Sequence, residues 1–340
     1  MSGRGSRRLS VCRCIAAVGV FAALAGCAVP GRIAEPQGMG PTDAREAVLR
    51  VLPQTLDDRS GWAADVHAAL AALALPSTPE NLCAVLAVTE QESGYRADPA
   101  VPGLPAIAWK EIERRADALG VPMFAVRAAL ALPSKGGRSY AERIDAVKTE
   151  RQLSEVFEDF VDRVPLGQTF LAERNPVRTG GPMQVSIAFA EAHVQARPYP
   201  YVLGGSLRRE VFTRRGGLYF GAAHLLAYDA PYDSALFRFA DFNAGRYASR
   251  NAAFQNALAV ASALPVVPDG DLLPRGGDGP RGETERAALS LAGRLGLSEA
   301  MIRRDLARGD DAGFEKTPLH ERVFAYAEQL DRRALPRAMV

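Results

Sequence analysis

Cysteine is scarce in this chain of 340 residues: there are four, and Cys12, Cys14 and Cys27 all fall within the first 27 positions. Beyond them only Cys83 remains, so no disulfide can form there, and its apolar surroundings predict a small buried hydrophobe. Histidine is equally thin. His67, His193, His224 and His320 are scattered, with no HExxH spacing and no Cys-His cluster, which argues against a metal site. Ser206 follows Gly204-Gly205 but lacks the G-x-S-x-G context, and no phosphate loop is present, so no cofactor is expected. Period-two alternation is missing too, which leaves at most a minor sheet. After the first 26 residues no run is long and apolar enough to cross a bilayer. Charge excess is also lacking. The first 26 residues hold four arginines and no acid, leaving 37 basic against 39 acidic residues, a net of −2. Nothing there resembles a nucleic-acid footprint.

What is present begins with an address. Arg4, Arg7 and Arg8 precede a short apolar stretch from Ile15 to Ala25, followed by Leu24-Ala25-Gly26-Cys27. Residues 1–26 are therefore expected to be a signal peptide, too short and wrongly flanked for a spanning helix. The L-A-G-C run resembles a bacterial lipobox. The resemblance implies cleavage before Cys27, acylation of Cys27 and a lipid-anchored protein. With Ala28 rather than Asp next, it also implies the outer membrane, facing the periplasm.

Residues 27–44 are rich in Pro and Gly and read as a tether. Helical patterns follow at 62–75, 79–92, 107–119, 124–132, 141–148, 150–164, 186–195, 217–228, 234–242 and 248–264. The stretch 266–283 is dense in Gly, Pro and Asp and reads as a linker, after which 283–307 and 320–335 read as two more helices. The expectation is a mainly α protein: a helical domain over 45–265, then a C-terminal helical segment over 284–340.

One acid stands out. Thr78 is a plausible N-cap and Pro79 suits the first helical position, so Pro79 to Glu92 should be a helix. At 100° per residue Glu92 projects between Val85 and Val88, whereas Glu90 points about 160° away, near Cys83 and Leu86. A carboxyl held against valines near the negative end of a helix dipole should have a raised pKa, as a general acid near neutral pH requires.

Three short motifs occur in a fixed order: Gln91-Glu92-Ser93-Gly94-Tyr95, Gly180-Gly181-Pro182-Met183-Gln184-Val185, and Phe239-Ala240-Asp241-Phe242-Asn243-Ala244-Gly245. They resemble the E-S-G-F/Y, G-L-M-Q and A-Y-N-A-G motifs of soluble lytic transglycosylases and goose-type lysozymes. The run from Gly217 to Leu226 is similar to that family's helix before the N-A-G loop. The resemblance covers roughly 78–264. It implies a lysozyme-like helical fold in which 101–172 would be a large helical insertion beside the cleft.

The resemblance also implies roles. Glu92 would be the sole acid/base, cleaving the bond between N-acetylmuramic acid and N-acetylglucosamine in peptidoglycan glycan strands. Ser93 would bond that carboxyl or cap the helix end. Tyr95 would stack on a sugar or pack in the core. Met183 and Gln184 would line the cleft, and Gly181 would let the backbone approach the glycan. Asn243 would stand opposite Glu92 or serve turn chemistry, with Gly245 shaping the turn. Two positions depart from the family pattern. Pro182 stands for Leu and removes a donor, and Phe242 stands for Tyr and removes a hydroxyl.

Carboxylate count separates two reactions. Ordinary glycosidases need two acids about the bond, whereas lytic transglycosylases use one and release a 1,6-anhydro sugar. As second acids Glu90 faces away, Asp98 resembles a turn residue and Asp241 a cap. The expectation is a transglycosylase ahead of a muramidase, with a non-catalytic glycan- or partner-binding lipoprotein as the rival from another class.

Overall fold

The computed structural model describes residues 38–164, 167–171, 174–230, 232, 234–274 and 280–339. The leader, the L-A-G-C run and Cys27 lie outside the described residues. The protein is mainly α. Seventeen α-helices are described: α1 (Pro41–Val51), α2 (Arg59–Ala72), α3 (Pro79–Ser93), α4 (Leu104–Ala118), α5 (Met123–Leu130), α6 (Tyr140–Ala146), α7 (Glu150–Arg163), α8 (Gly167–Leu171), α9 (Ile187–Ala196), α10 (Leu207–Val211), α11 (Arg214–Leu226), α12 (Ala235–Ala244), α13 (Ala248–Ser262), α14 (Glu283–Ser290), α15 (Ala292–Leu295), α16 (Glu299–Leu306) and α17 (Pro318–Asp331). The described sheet is one two-residue hairpin, β1 (Thr179–Gly180) with β2 (Val185–Ser186), paired Thr179 to Ser186 and Gly180 to Val185.

Local signals explain α3. The Thr78 hydroxyl accepts from the Asn81 amide at 3.2 Å, and Pro79 occupies the first turn. The helix stops where Gly94 turns left-handed at φ 57°, a conformation that costs glycine little. Two expectations are corrected. Residues 41–44, read as the end of a tether, instead open α1, whose Ala44 and Val48 are buried against the core. The expected single helix over 283–307 is instead three, α14, α15 and α16, with Gly296 left-handed at φ 61° between the last two.

The first hydrophobic cluster surrounds α11. Ten of its thirteen residues are buried, Gly216 to Ala223 together with Leu225 and Leu226, and the helix packs against α2, α3, α10, α12 and β2. Two glycines one turn apart make this possible. A Cβ on Gly217 would fall 2.3 Å from Pro182 Cδ, and one on Gly221 would fall 2.3 Å from Met183 Sδ. The hairpin turn therefore presses directly onto the helix backbone. Pro182 suits its place there, since it follows Gly181 in a turn closed by the Gln184 amide donating to the Gly181 carbonyl at 3.2 Å.

The segment between the first two motifs leaves and returns at one point. Ala100 bridges Thr149, and the Val101 amide donates to the Lys148 carbonyl at 2.9 Å. Asp98 ties the junction by accepting from the Thr149 hydroxyl at 3.1 Å and from Arg151 at 2.8 Å.

A second cluster joins α13 to α14–α17. Arg250 on α13 is fully buried. Its guanidinium donates to the carbonyls of Gly309 and Asp311, at 2.5 and 3.0 Å, and lies 3.6 Å from Glu315. Asn251 donates to the Gly270 carbonyl at 3.1 Å, and Gln255 donates to the Asp271 carbonyl at 3.1 Å. From Gly38 onward the chain clusters as one compact unit.

The α11 packing yields a prediction. Gly217→Ala forces a methyl into a rigid proline ring and should destabilise the protein by about 1–3 kcal/mol. Urea unfolding would show it as a lower midpoint with an unchanged slope, and an unchanged midpoint would refute the packing.

Candidate functional site

Glu92 ends α3 on the helix face that also carries Val85 and Val88, both inaccessible to solvent. Its carboxyl is half-buried, and burial pushes its pKa above the ordinary carboxylate value. Glu90 is exposed on another face. Asn243 lies in the last turn of α12, which Gly245 closes with its amide donating to the Asp241 carbonyl at 3.0 Å.

Between the two stands Gln91. Its Nε2 donates to Asn243 Oδ1 at 3.1 Å and lies 3.5 Å from Glu92 Oε1. The Asn243 amide nitrogen is held in turn by the Phe239 carbonyl at 2.9 Å, which orients its oxygen toward Gln91. Side chains 152 positions apart thus form one polar row on the surface. The row exists because α3 packs directly against α12, with α11 packed against both.

Phe242, the residue before Asn243, belongs to an aromatic cluster. The Phe242 ring lies 5.3 Å from His224, and His224 lies 4.7 Å from Phe189. Burial, with a smaller contribution from the Arg246 charge, pulls the His224 pKa down to about 4. The imidazole is therefore neutral at physiological pH, and its Nδ1 has no hydrogen-bond partner. The Arg246 guanidinium sits over Phe189 at 5.4 Å and over Tyr228 at 4.9 Å.

Several expected contact residues sit elsewhere. Ser93 is buried, with its hydroxyl donating to the Thr89 carbonyl at 2.9 Å and accepting from the Arg96 amide at 3.2 Å, so it closes the helix. Tyr95 belongs to the core: its ring meets Trp62 edge-on at 5.8 Å and its hydroxyl donates to the Leu86 carbonyl at 3.3 Å. Met183 is wholly buried against Gly221 and cannot form a cleft wall. Gly181 is buried too. A Cβ there would meet the Val211 carbonyl oxygen at 2.1 Å, so this glycine serves packing against α10. Cys83 is exposed, not buried as its neighbours in sequence suggested. Asp241 is a cap, accepting from the Ser249 amide at 2.7 Å and from the Tyr228 hydroxyl at 3.0 Å.

Gln184 remains partly accessible, with its amide oxygen accepting from the Thr179 hydroxyl at 3.1 Å. Beside it lies a carboxyl that no motif or spacing singles out. Glu150, in the first turn of α7, is half-buried, and burial raises its pKa. The charge of Asp98 adds to that rise, and the Gln184 amide opposes it. An acid in a first helical turn normally reads as a solvated dipole partner, which is why its sequence position carried no signal. Gln91, Arg246 and His224 were likewise invisible as site members, since only tertiary packing assembles them.

Among the described residues no group of three or more His, Cys, Asp or Glu is placed to hold a metal ion, and no helix is long and apolar enough to cross a membrane. The chain belongs to the family described as "Protein of unknown function (DUF1615)", whose model matches residues 55–340. It is similar to the "Uncharacterized protein YaiW" of Escherichia coli (strain K12), with 50% identity over 317 residues, 93% of this chain and 86% of that one. No solved structure matches the chain.

The environment of Glu92 has a thermodynamic consequence. Its folded pKa lies above the ordinary value of 4.5, so the folded state holds the proton more tightly than the unfolded chain. That contribution is fully present below pH 4.5 and is lost as pH rises through the folded value. Glu92→Gln should therefore melt at a higher temperature than the parent at pH 7, with the gap closing by about pH 4. Equal melting temperatures at both pH values would contradict a desolvated carboxyl.

Proposed function

We propose that the protein is a lysozyme-like peptidoglycan lytic transglycosylase with Glu92 as its acid/base. The observation that carries the reading is the polar row Glu92–Gln91–Asn243, which joins the first and third motifs across one surface. Glu92, whose carboxyl holds its proton more tightly because it is partly buried, gives that proton to the oxygen linking N-acetylmuramic acid to N-acetylglucosamine. The muramic N-acetyl oxygen attacks C1 as that bond breaks. The Glu92 carboxylate then takes the proton of the 6-hydroxyl, and O6 displaces the N-acetyl oxygen to leave a 1,6-anhydro end. No water is consumed and Glu92 recovers its proton.

The chain supports these steps with few groups. Asn243 and Gln91 offer amides to the sugar's hydroxyl and N-acetyl groups beside the carboxyl. Phe242, next to Asn243, would offer an apolar ring to a pyranose face, a contact that needs no hydroxyl. Pro182 faces α11 and not the cleft, so its lack of a donor does not weigh against activity.

A second reading is hydrolysis of the same bond, favoured by Glu150. A half-buried carboxyl beside Gln184 is the kind of group that activates water in an inverting mechanism. Purified protein incubated with sacculi distinguishes the two by mass spectrometry of the products. Anhydro ends are expected, and reducing ends would replace lyase by hydrolase. Glu92→Gln should lower product release by at least about 10³-fold while folding normally, and Glu150→Gln should lower it far less. Undiminished cleavage by Glu92→Gln would overturn the assignment, and binding without cleavage by the parent would leave a glycan-holding lipoprotein.

The address forms part of the same proposal: acylation at Cys27 and anchorage to the outer membrane, facing the periplasm. Cys27→Ser should move the protein from the membrane fraction to the soluble periplasm and remove the mass of the acyl chains. Retention in the membrane fraction without those chains would sink the anchor.

A further inference from the structure

A cavity of about 650 Å³ lies in the segment between the first two motifs, and Glu92 is not among its walls. Helices α4, α5 and α7 enclose it with aliphatic and aromatic side chains, among them Val126, Ala129, Leu153 and Phe157. Ile107 and Val121 line it and are also exposed, so it opens to the outside through an apolar mouth. Phe124 and Leu119, exposed on the same two-helix hairpin, extend that apolar rim.

The polar side chains of its lining are few: Glu111 and Arg115, which pair with each other at 2.6 Å, and Glu150, Arg178 and Thr179. A space of this size and lining falls in the range of small-molecule sites, about 300–1,000 Å³. Water gains nothing from such walls, and an empty apolar space forfeits contacts on every side. A ligand polar along its whole length would find few donors or acceptors there. An occupant matched to them is apolar for most of its length and charged at one end.

We propose that this cavity binds the hydrocarbon chain of a single-chain anionic amphiphile, with its head group at Arg178. The ligand enters from the exposed Ile107–Val121 side, where a chain can leave a micelle or bilayer without crossing polar surface. Two sources share this chemistry, free fatty acids and lysophospholipids. The site does not include Glu92 and does not rest on the transglycosylase reading, although Glu150 in its wall is also the group that favours the hydrolytic one.

Native mass spectrometry and calorimetry of the full chain titrated with oleate and with lysophosphatidylglycerol test the proposal. One bound chain per protein is expected with at least one of the two, and the preferred head group identifies the source. Ala129→Trp, which fills the middle of the cavity, should weaken binding at least about tenfold. Ala125→Leu, a smaller intrusion on the same helix, should weaken it measurably with an unchanged melting temperature, and it decides the matter if the tryptophan variant does not fold. Arg178→Gln should weaken both ligands while leaving the stoichiometry at one. Saturable binding of neither amphiphile, or equal binding by the parent and the cavity-filling variants, overturns it.

Discussion

The contact between the 181–184 turn and the bare backbone of α11 is the constraint on which the arrangement of the motifs depends. With side chains at 217 and 221 the turn could not seat Pro182 and Met183, and β2 would lie farther from the helix. The same helix supports α3 on one side and α12 on another. Its burial therefore fixes three surface groups at once: the Glu92 carboxyl, the Asn243 amide and the Gln184 amide. None of the three touches α11 through a long flexible side chain. Their positions are inherited from backbone packing, which is the rigid support that a preorganised site needs.

Much of the architecture was legible because its signals are local. Thr78-Pro79 starts α3 and Gly94 ends it, both within a few residues of the chain they control. The expected face of Glu92 followed from helix geometry alone. The break at Gly296 was less visible, since a glycine within a helical pattern is tolerated and only its left-handed φ ends α15. The early start of α1 was hidden by Pro and Gly that resemble a tether until Ala44 finds a core to enter.

The site was half legible. Motif order pointed to the segments, but which side chain of each faces outward depends on contacts made far along the chain. Tyr95 turns inward because Trp62 offers it an edge, and Met183 because Gly221 leaves it room. Met183 looks from sequence like a cleft residue and is framework, and of the two places open to Tyr95 it takes the core. Gln91 has the opposite history, a polar neighbour of the presumed acid whose partner lies on another helix. Glu150 is hidden for the same reason. Its burial is created by the return of the chain at Ala100 and Thr149, not by its own neighbours.

Arg250 sets a limit on how this protein can change. Its cation lies where no solvent reaches, satisfied by carbonyls contributed some sixty residues downstream at Gly309 and Asp311. One residue before it, Ser249 gives its amide to Asp241 in the helix that bears Asn243, and its carbonyl receives the Met339 amide. A shortened descendant that shed the tail would strand a charge and unmoor the neighbouring turn together. Drift in the final helices is thereby policed by a group some sixty residues earlier in the chain, and the tail must evolve in step with the turn it braces.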